Sequence, residues 1–246
     1  MTESDIRENF INSLKEDKDT NNLLQSLSLA RLDWYIDDYL FNNNNLSIFD
    51  KYKYNTLISS KIYVVFNYFE ITFRNFCDKR IRYKTHNEKW YLDTNIVKRD
   101  INDEKDYINK VFFNVCKRYK ENKKLEELPK IEEISSDDFI ANTDFGFWVE
   151  LFDKKRASEI YNKFFFKFFI DKKFTAKDVK TKLHYIRYMR NRIAHQECII
   201  KYDYKLKYDY MIKLIKIISR RTLKDLSIID DFKKIDNNYK NSVKLS

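Results

Sequence analysis

An arginine and a histidine placed five residues apart could together cleave RNA without a metal ion. Arg190 and His195 have this spacing in the hexapeptide Arg190-Asn191-Arg192-Ile193-Ala194-His195. A histidine can take or return the proton of a ribose 2′-hydroxyl, and a guanidinium can bind the phosphate on which negative charge develops. With 13 Arg and 3 His in the chain, chance alone gives this spacing with a probability of roughly 0.16. The pair therefore needs support from the rest of the sequence.

The helix that carries the pair is predicted to begin at Thr175 or Asp178, either of which can cap it, and to end near His195. Asn191 and His195 are four residues apart and share a face, whereas Arg190 lies about 140° from His195 around the helix. One helix is therefore only half a site. A second copy across a two-fold axis would bring both arginines and both histidines into one cleft. The apolar stripe of this helix is predicted to be Val179, Leu183, Ile186, Met189 and Ile193.

Apolar residues at three- and four-residue intervals predict further helices around this one. Gly and Pro each occur once, at Gly146 and Pro129, and a strand-rich protein would need many of both for its turns. We therefore expect an all-α protein. The predicted helices cover about residues 23–40, 50–83, 100–127 and 204–223, with a short helix from Phe147.

The remaining segments are expected to connect these helices or to pack against them. Residues 42–45 should end the first helix. Pro129 and the acidic residues 132–138 should form a loop or linker. Gly146 predicts a close backbone approach or a turn. Residues 160–170 are almost continuously aromatic and should be core, whereas residues 230–246 are polar and should be frayed. The domain boundaries that we infer are 1–22, an N-terminal extension; 23–225, the helical domain; and 226–246, a polar tail.

The net charge of +10 and the pI near 9.2 favour polyanionic partners, among which RNA, DNA and acidic membrane all qualify. No apolar stretch approaches the roughly 20 residues that cross a bilayer, and the N-terminus has no signal-peptide pattern. These features indicate a cytoplasmic protein with no membrane partner. Cys77, Cys116 and Cys198 are far apart and predict thiols rather than a disulfide framework or a zinc site.

Each candidate residue also has a purely structural interpretation. A histidine near a helix C-terminus can interact with the helix dipole or cap the helix, and Arg187, Arg190 and Arg192 could form a solvated basic face. The sequence places no matching motif residues near His86 or His184, so we assign them no chemistry. Trp148 is more typical of a packing anchor than of a base-stacking platform. Glu121-Asn122-Lys123 has the E-x-K form of metal nucleases but lacks their strand context, so no metal site is predicted.

Three sequence blocks resemble the Abi-like (abortive infection) branch of the HEPN superfamily. Residues 188–197, Tyr-Met-Arg-Asn-Arg-Ile-Ala-His-Gln-Glu, are similar to its L-R-N-R-I-A-H-H-E-P signature. Residues 145–152, Phe-Gly-Phe-Trp-Val-Glu-Leu-Phe, are similar to its F-W-x-x-L-F segment. Residues 69–75, Phe-Glu-Ile-Thr-Phe-Arg-Asn, are similar to its V-E-x-x-L-R-N segment. The blocks follow the family's order, and the resemblance covers about residues 31–207.

The resemblance implies a HEPN-like helical bundle with additional helices that acts as a metal-independent endoribonuclease, often a toxin in phage defence. Arg190 would stabilise the phosphorane, His195 would transfer the proton of the 2′-hydroxyl, and Asn191 would orient one of them or the phosphate. The products would be a 2′,3′-cyclic phosphate and a 5′-hydroxyl. Because one motif is present, a homodimer would complete the site, and no cofactor is implied. Arg187 and Arg192 would guide the RNA, and a protein or RNA antitoxin is a further partner that such a toxin can have.

Two departures from the family pattern bear on the site. Gln196 and Cys198 replace the second His and the Pro of H-H-E-P. Glu70 and Arg74 are spaced for an i,i+4 ion pair, which could support the structure or line the site. Two other functions stay open at this stage: a non-catalytic HEPN module that binds RNA or a partner protein, and an intracellular sensor of a nucleotide.

Overall fold

The computed structural model describes residues 2–42, 46–100, 102–103, 105–152, 157–169 and 174–245. The regular elements in these ranges are α-helices, 3₁₀ turns and one π-helical segment. None of the described residues forms a strand, so the all-α prediction is confirmed. None of the described helices is long and apolar enough to cross a membrane.

The α-helices, in chain order, are α1 (Glu3–Glu16), α2 (Lys18–Leu27), α3 (Leu29–Phe41), α4 (Ile48–Thr85), α5 (Tyr107–Lys123), α6 (Ser136–Asn142), α7 (Phe145–Glu150), α8 (Ala157–Ile160), α9 (Phe166–Phe169), α10 (Ala176–Ala194), α11 (Tyr204–Ile218), α12 (Arg220–Leu226) and α13 (Phe232–Leu245). Short 3₁₀ turns cover Trp90–Leu92 and Ile131–Glu133, and a π-helical segment covers Tyr161–Phe165.

The chain forms two compact units. The first unit comprises residues 1–64, 189–204 and 229–246, and the second comprises residues 65–188 and 205–228. Helices α4 and α10 contribute residues to both units. Of the predicted site residues, Arg190, Asn191, Arg192 and His195 belong to the first unit, and Glu70, Arg74 and Arg187 belong to the second.

The first unit has an apolar core built by α1, α2, α3 and the start of α4. Residues 1–22, which the sequence indicated as an extension, form α1 and the first half of α2 and supply Ile11 to this core. Asp38 and Lys51 form an ion pair beside it, with 2.5 Å between Oδ2 and Nζ. Lys51 is fully buried, so its charge needs this partner. The core comprises Ile11, Leu24, Leu32, Tyr35, Ile36 and Ile48.

The expectation of a frayed C-terminus is wrong, because residues 232–245 form α13. Asp236 is buried and accepts hydrogen bonds from the hydroxyls of Tyr54 (3.0 Å) and Tyr204 (2.8 Å). The Tyr239 ring stacks on Tyr54, with 3.5 Å between the ring centroids. Phe232 is buried as well. Phe232, Asp236 and Tyr239 recur at helical spacing, and this short stripe within a polar segment is what the sequence interpretation overlooked.

The second unit is organised around aromatic side chains. Phe145 packs edge-on against Phe66 (5.3 Å between centroids) and Phe69 (5.8 Å). Trp148 is fully buried, as expected of a packing anchor, and its indole Nε1 donates to Thr143 Oγ1 at 3.1 Å. Because edge-to-face contacts add specific geometry to the burial of large rings, this cluster holds the unit together.

Several predicted helix ends are wrong, and in each case a local cap explains the difference. The helix expected over 23–40 is divided at Ser28, which has a φ of 65° and separates α2 from α3. The helix expected over 204–223 ends at Ile218, because Ser219 accepts a hydrogen bond from the Thr222 amide and starts α12.

The segment around the predicted linker is more helical than expected, and the helix before it is shorter. Among the described residues of 100–127, the helix runs from Tyr107 to Lys123, capped by Asp106 at its start and ended by the left-handed Lys124. Residues 43–45, 101, 104, 170 and 246 of the predicted segments lie outside the described residues. In the acidic segment 132–138, which was predicted to be a loop or linker, Ser135 caps α6.

The two helices that contribute residues to the site agree with the sequence prediction. The helix predicted over 50–83 is α4, and the helix predicted from Thr175 or Asp178 is α10. The predicted apolar stripe of α10 is buried at Val179, Leu183, Ile186 and Met189, while Ile193 is half-buried. Gly146 lies within α7, where a Cβ would collide with the Tyr107 hydroxyl. The close approach predicted at Gly146 is therefore confirmed, and the turn is not.

Candidate functional site

The chain reverses direction directly after α10, and His195 occupies this reversal. The Gln196 amide donates to Ile193 O (3.0 Å) and the Glu197 amide to Arg192 O (2.9 Å), while Gln196 has a left-handed φ of 56°. These two bonds form a Schellman motif, in which a residue with positive φ satisfies the last carbonyls of the helix. The His195 amide still bonds Asn191 O at 3.0 Å. The backbone of His195 is thus fixed while its side chain is exposed.

Arg31 at the start of α3 holds this chain reversal from outside. Its Nη1 donates to the carbonyls of His195 (3.2 Å) and Gln196 (2.7 Å). A cation near the carbonyl end of a helix is also favoured by the helix dipole. Arg31 lies at the edge of the region that the resemblance covers, and nothing in its immediate sequence indicated this contact.

Asn55 on α4 holds the segment of residues 197–200 that follows the chain reversal. Its Oδ1 accepts hydrogen bonds from the amides of Ile199 (2.7 Å) and Ile200 (3.4 Å), and its Nδ2 donates to Glu197 O (3.3 Å). The side chain is buried, so these bonds form where water does not compete. The sequence did contain a signal, because Asn55 is a polar residue within an apolar stripe. It stands three residues before Ile58, which is buried.

Arg192, predicted to bind RNA, is engaged within the protein. Its Nη1 forms an ion pair with the Glu197 carboxylate, and its guanidinium lies over the Tyr202 ring at 4.4 Å from the centroid. Both contacts stabilise the chain reversal, and they give Arg192 a structural part whether or not it also contacts a phosphate.

Arg190 and Asn191 lie on the last turns of α10. Arg190 is half-buried, and its Nη1 is 3.5 Å from Asn191 Oδ1, a long hydrogen bond. The Arg190 Nε is buried without a hydrogen-bond partner among the described residues. Asn191 is exposed. Asn191 is thus close enough to orient the guanidinium, the first of the roles predicted for it.

An open groove of about 440 Å³ lies beside the imidazole of His195. Arg31, Arg192 and Lys201 line it together with His195, and the acidic residues that line it are Asp33 and Glu197. Of the described residues, Arg190 is not among those that line this groove. A single chain therefore gathers His195 with Arg31 and Lys201, which the sequence interpretation missed, rather than with Arg190.

Three of the predicted site residues, Glu70, Arg74 and Arg187, belong to the second unit. Glu70 and Arg74 are half-buried and one turn apart on α4. The Arg187 guanidinium lies over the Tyr107 ring, 5.9 Å from the centroid, and the Tyr107 hydroxyl donates to Asp144 Oδ1 at 3.3 Å. Burial, followed by the negative charge of Asp144, raises the pKa of Tyr107, so this hydroxyl stays protonated.

The described residues contain no cluster of three or more His, Cys, Asp or Glu side chains that could hold a metal ion. Cys77, Cys116 and Cys198 are free thiols. The side chains around the end of α10 include an imidazole that can transfer a proton, and guanidinium and ammonium groups that can bind a phosphate.

No protein-family model, curated protein or solved structure matches this chain. The features that indicate a function are the residues and geometry at the end of α10 and the sequence blocks that resemble the Abi-like family.

Proposed function

We propose that this chain is an Abi-like member of the HEPN superfamily and a metal-independent endoribonuclease of the abortive-infection type. The observation that carries the proposal is the position of His195: its imidazole is exposed beside a groove that Arg31 and Lys201 also line. Such a groove suits a phosphodiester, because cationic side chains bind the phosphate while the imidazole reaches the ribose. The all-helical fold is consistent with the HEPN assignment, and the proposed substrate is cytoplasmic RNA.

In the proposed reaction, His195 removes the proton of the 2′-hydroxyl, whose oxygen attacks the adjacent phosphorus. The bond from phosphorus to the 5′-oxygen then breaks, and the imidazolium of His195 returns the proton to the leaving oxygen. The products are a 2′,3′-cyclic phosphate and a 5′-hydroxyl, and no oxidant or metal is required. Arg190 binds the non-bridging oxygens on which charge accumulates, an interaction that strengthens in the transition state.

A homodimer completes the proposed site. Because Arg190 does not line the groove beside His195 in one chain, the Arg190 that acts with His195 is proposed to come from a second copy. A two-fold axis would place both pairs in one cleft. A protein or RNA antitoxin that covers this cleft is a further proposed partner.

The decisive test is cleavage of single-stranded RNA in excess EDTA. The unaltered protein is expected to release fragments with 2′,3′-cyclic phosphate and 5′-hydroxyl ends. His195→Ala should abolish cleavage with unchanged circular dichroism, whereas His86→Ala, which alters an exposed histidine of the second unit, should cleave normally. Cleavage that survives in His195→Ala, or that stops in EDTA, would refute the proposed chemistry.

A mixing experiment tests the composite site. Arg190→Ala and His195→Ala should each be inactive alone. After exchange of subunits, the cleft of the mixed dimer holds Arg190 of one chain together with His195 of the other, and activity should return. Absence of activity in the mixture, with exchange verified by mass spectrometry, would show that both residues act from the same chain.

One observation favours a second candidate function, a non-catalytic module that binds RNA or a partner protein. Arg192 is paired with Glu197 and Arg190 is absent from the groove beside His195, so one chain resembles a phosphate clamp more than a catalytic pair. RNA binding without turnover, undiminished in His195→Ala and weakened in Arg190→Ala, would support this function over the nuclease.

A further inference from the structure

A second groove of about 440 Å³ lies between α4 and the end of α10. Every residue of the described chain that lines it is uncharged. On the α4 side the lining is rich in hydroxyl groups, and on the α10 side it consists of Ile193, Ala194 and Gln196. The hydroxyl-bearing residues are Tyr52, Thr56, Ser59, Ser60 and Tyr63.

This uncharged groove is adjacent to the cationic groove beside His195. Gln196 lines both of them, and the left-handed Gln196 backbone is held by the Schellman bond to Ile193 O. A polymer that alternates charged and uncharged parts could therefore occupy both grooves at once. RNA is such a polymer, because each phosphate is followed by a neutral base.

The hydrogen bonds within the uncharged groove determine what it can recognise. Thr56 Oγ1 donates to Tyr52 O (3.1 Å) and Ser60 Oγ donates to Leu57 O (2.7 Å). Each hydroxyl has one proton, so both oxygens can act towards a ligand only as acceptors. Two such acceptors favour an exocyclic amino group, which carries two N–H donors, over a single ring N–H.

Ser59 gives an independent indication of a ligand. Its Oγ is buried, and it has no hydrogen-bond partner among the described residues. Buried polar atoms normally have a partner, because leaving one unsatisfied is unfavourable. Since Ser59 lines the groove, a polar group bound there would satisfy this oxygen.

Aromatic rings complete the uncharged groove. Tyr52 is fixed by an edge-on contact with Tyr35, 5.7 Å between ring centroids, and Tyr63 is 38% exposed. Unpaired bases of single-stranded RNA stack on such rings while their edges form hydrogen bonds.

We propose that the uncharged groove between α4 and the end of α10 binds one unpaired RNA base that carries an exocyclic amino group, while a neighbouring phosphate lies in the cationic groove beside His195. The amino group donates to Thr56 and Ser60, and Ser59 bonds the ring nitrogen next to it. Uracil has no amino group and binds more weakly. This inference rests on the proposed function in taking RNA as the ligand.

The experiment measures binding separately from cleavage. Fluorescence anisotropy with His195→Ala protein compares a uridine octamer with octamers that carry one central adenosine or cytidine. We expect the adenosine and cytidine octamers to bind about tenfold more tightly, the effect of about two net hydrogen bonds. Equal affinity for all octamers, or binding of none, would overturn the proposal.

Two variants locate the preference. Ser59→Leu fills the groove and should make all three octamers bind as weakly as the uridine octamer. Ser26→Leu, on the exposed face of α2, is the matched control and should keep the preference. If Ser59→Leu does not fold, Ser59→Ala removes only the hydroxyl and should reduce the preference about threefold. A preference unchanged in both Ser59 variants would place the base elsewhere.

The base site and the nuclease can fail independently. A preference for the adenosine and cytidine octamers in a protein that never cleaves RNA would support the base site and refute the nuclease. Cleavage in EDTA by a protein that binds all octamers equally would do the reverse.

Discussion

The aromatic cluster of the second unit and the His195 segment of the first unit are held in place by different interactions. In the second unit, buried rings contact one another, as Trp90 does Phe147 (6.2 Å between centroids) and Tyr91 does Phe139 (3.7 Å). In the first unit, the segment with His195 is positioned by directional polar contacts from Asn55 and Arg31. The dispersion energy of the buried rings is the sum of many atom contacts, so the loss of one contact changes it little. A buried amide that loses its acceptor has no other partner, so the loss of one hydrogen bond has a large local effect.

This difference indicates where each kind of substitution should act. A change in the aromatic cluster removes burial and alters the stability of the whole unit. A change in the polar contacts around His195 alters the position of a short exposed segment at a smaller cost in stability. A site on a chain reversal can be adjusted by such contacts without rebuilding the core.

The largest expected effect is on the aromatic unit. Trp148→Ala removes a fully buried indole and its hydrogen bond to Thr143, and should lower the free energy of unfolding by about 3–5 kcal/mol. Thermal unfolding by circular dichroism measures this loss. Trp34→Ala makes the same truncation at a half-buried position of the first unit and should have a clearly smaller effect. Equal losses in the two variants would contradict the contrast between the units.

An intermediate effect is expected at Asn55. Asn55→Ala leaves the buried Ile199 amide without its acceptor and should lower the free energy of unfolding by about 1–3 kcal/mol. Hydrogen exchange at the Ile199 amide should accelerate. If the proposed nuclease is correct, cleavage should also fall, although Arg190 and His195 are unchanged.

The control for Asn55 is Asn12→Ala, an exposed asparagine on α1. It should alter neither the exchange rate of Ile199 nor RNA cleavage. Unchanged exchange at Ile199 in Asn55→Ala would mean that Asn55 does not position this segment.

The smallest effect is expected at the start of α10. Thr175 and Asp178 bond reciprocally: the Asp178 amide donates to Thr175 Oγ1 (3.1 Å) and the Thr175 amide to Asp178 Oδ2 (2.9 Å). Thr175→Ala should lower the free energy of unfolding by about 1 kcal/mol at neutral pH. Thr181→Ala, on the exposed face of the same helix, should change it by only a few tenths of a kcal/mol.

The pH dependence of this cap provides a further check. Hydrogen bonds from the Thr175 hydroxyl and amide lower the pKa of Asp178 below its usual 3.8. A carboxyl whose pKa is lower in the folded state stabilises the protein above its unfolded pKa, and this contribution is lost as pH falls through the folded value. Urea unfolding should therefore show a smaller difference between Thr175→Ala and the unaltered protein at pH 3 than at pH 7. A difference that grows on acidification would contradict this explanation.

The sequence predicted the elements whose signals are local. Residues three and four apart show the apolar periodicity of α4 and α10. The cap at Thr175 is likewise visible from residues close to it in the sequence. The end of α11 was missed, although Ser219 is a strong capping residue, because apolar residues continue past it. α13 was missed because three spaced residues, Phe232, Asp236 and Tyr239, are a weak signal within a polar segment.

The candidate site was predictable only in part. The spacing of Arg190 and His195 and the blocks around it are sequence features, and they identify the residues to test. The partners of the chain reversal are separated from it by well over a hundred residues, as Asn55 is from Ile199. No periodic pattern connects such positions, since their contact depends on how the helices of the first unit pack.

The sequence by itself determined that this protein is helical and basic, and it singled out Arg190 and His195 as a pair whose side chains suit phosphate binding and proton transfer. Tertiary structure alone decided that His195 is grouped with Arg31 and Lys201 rather than with Arg190, and that Arg192 is paired with Glu197. The physical reason is that helix formation follows from contacts three and four residues apart, whereas a groove is formed by side chains that only packing brings together.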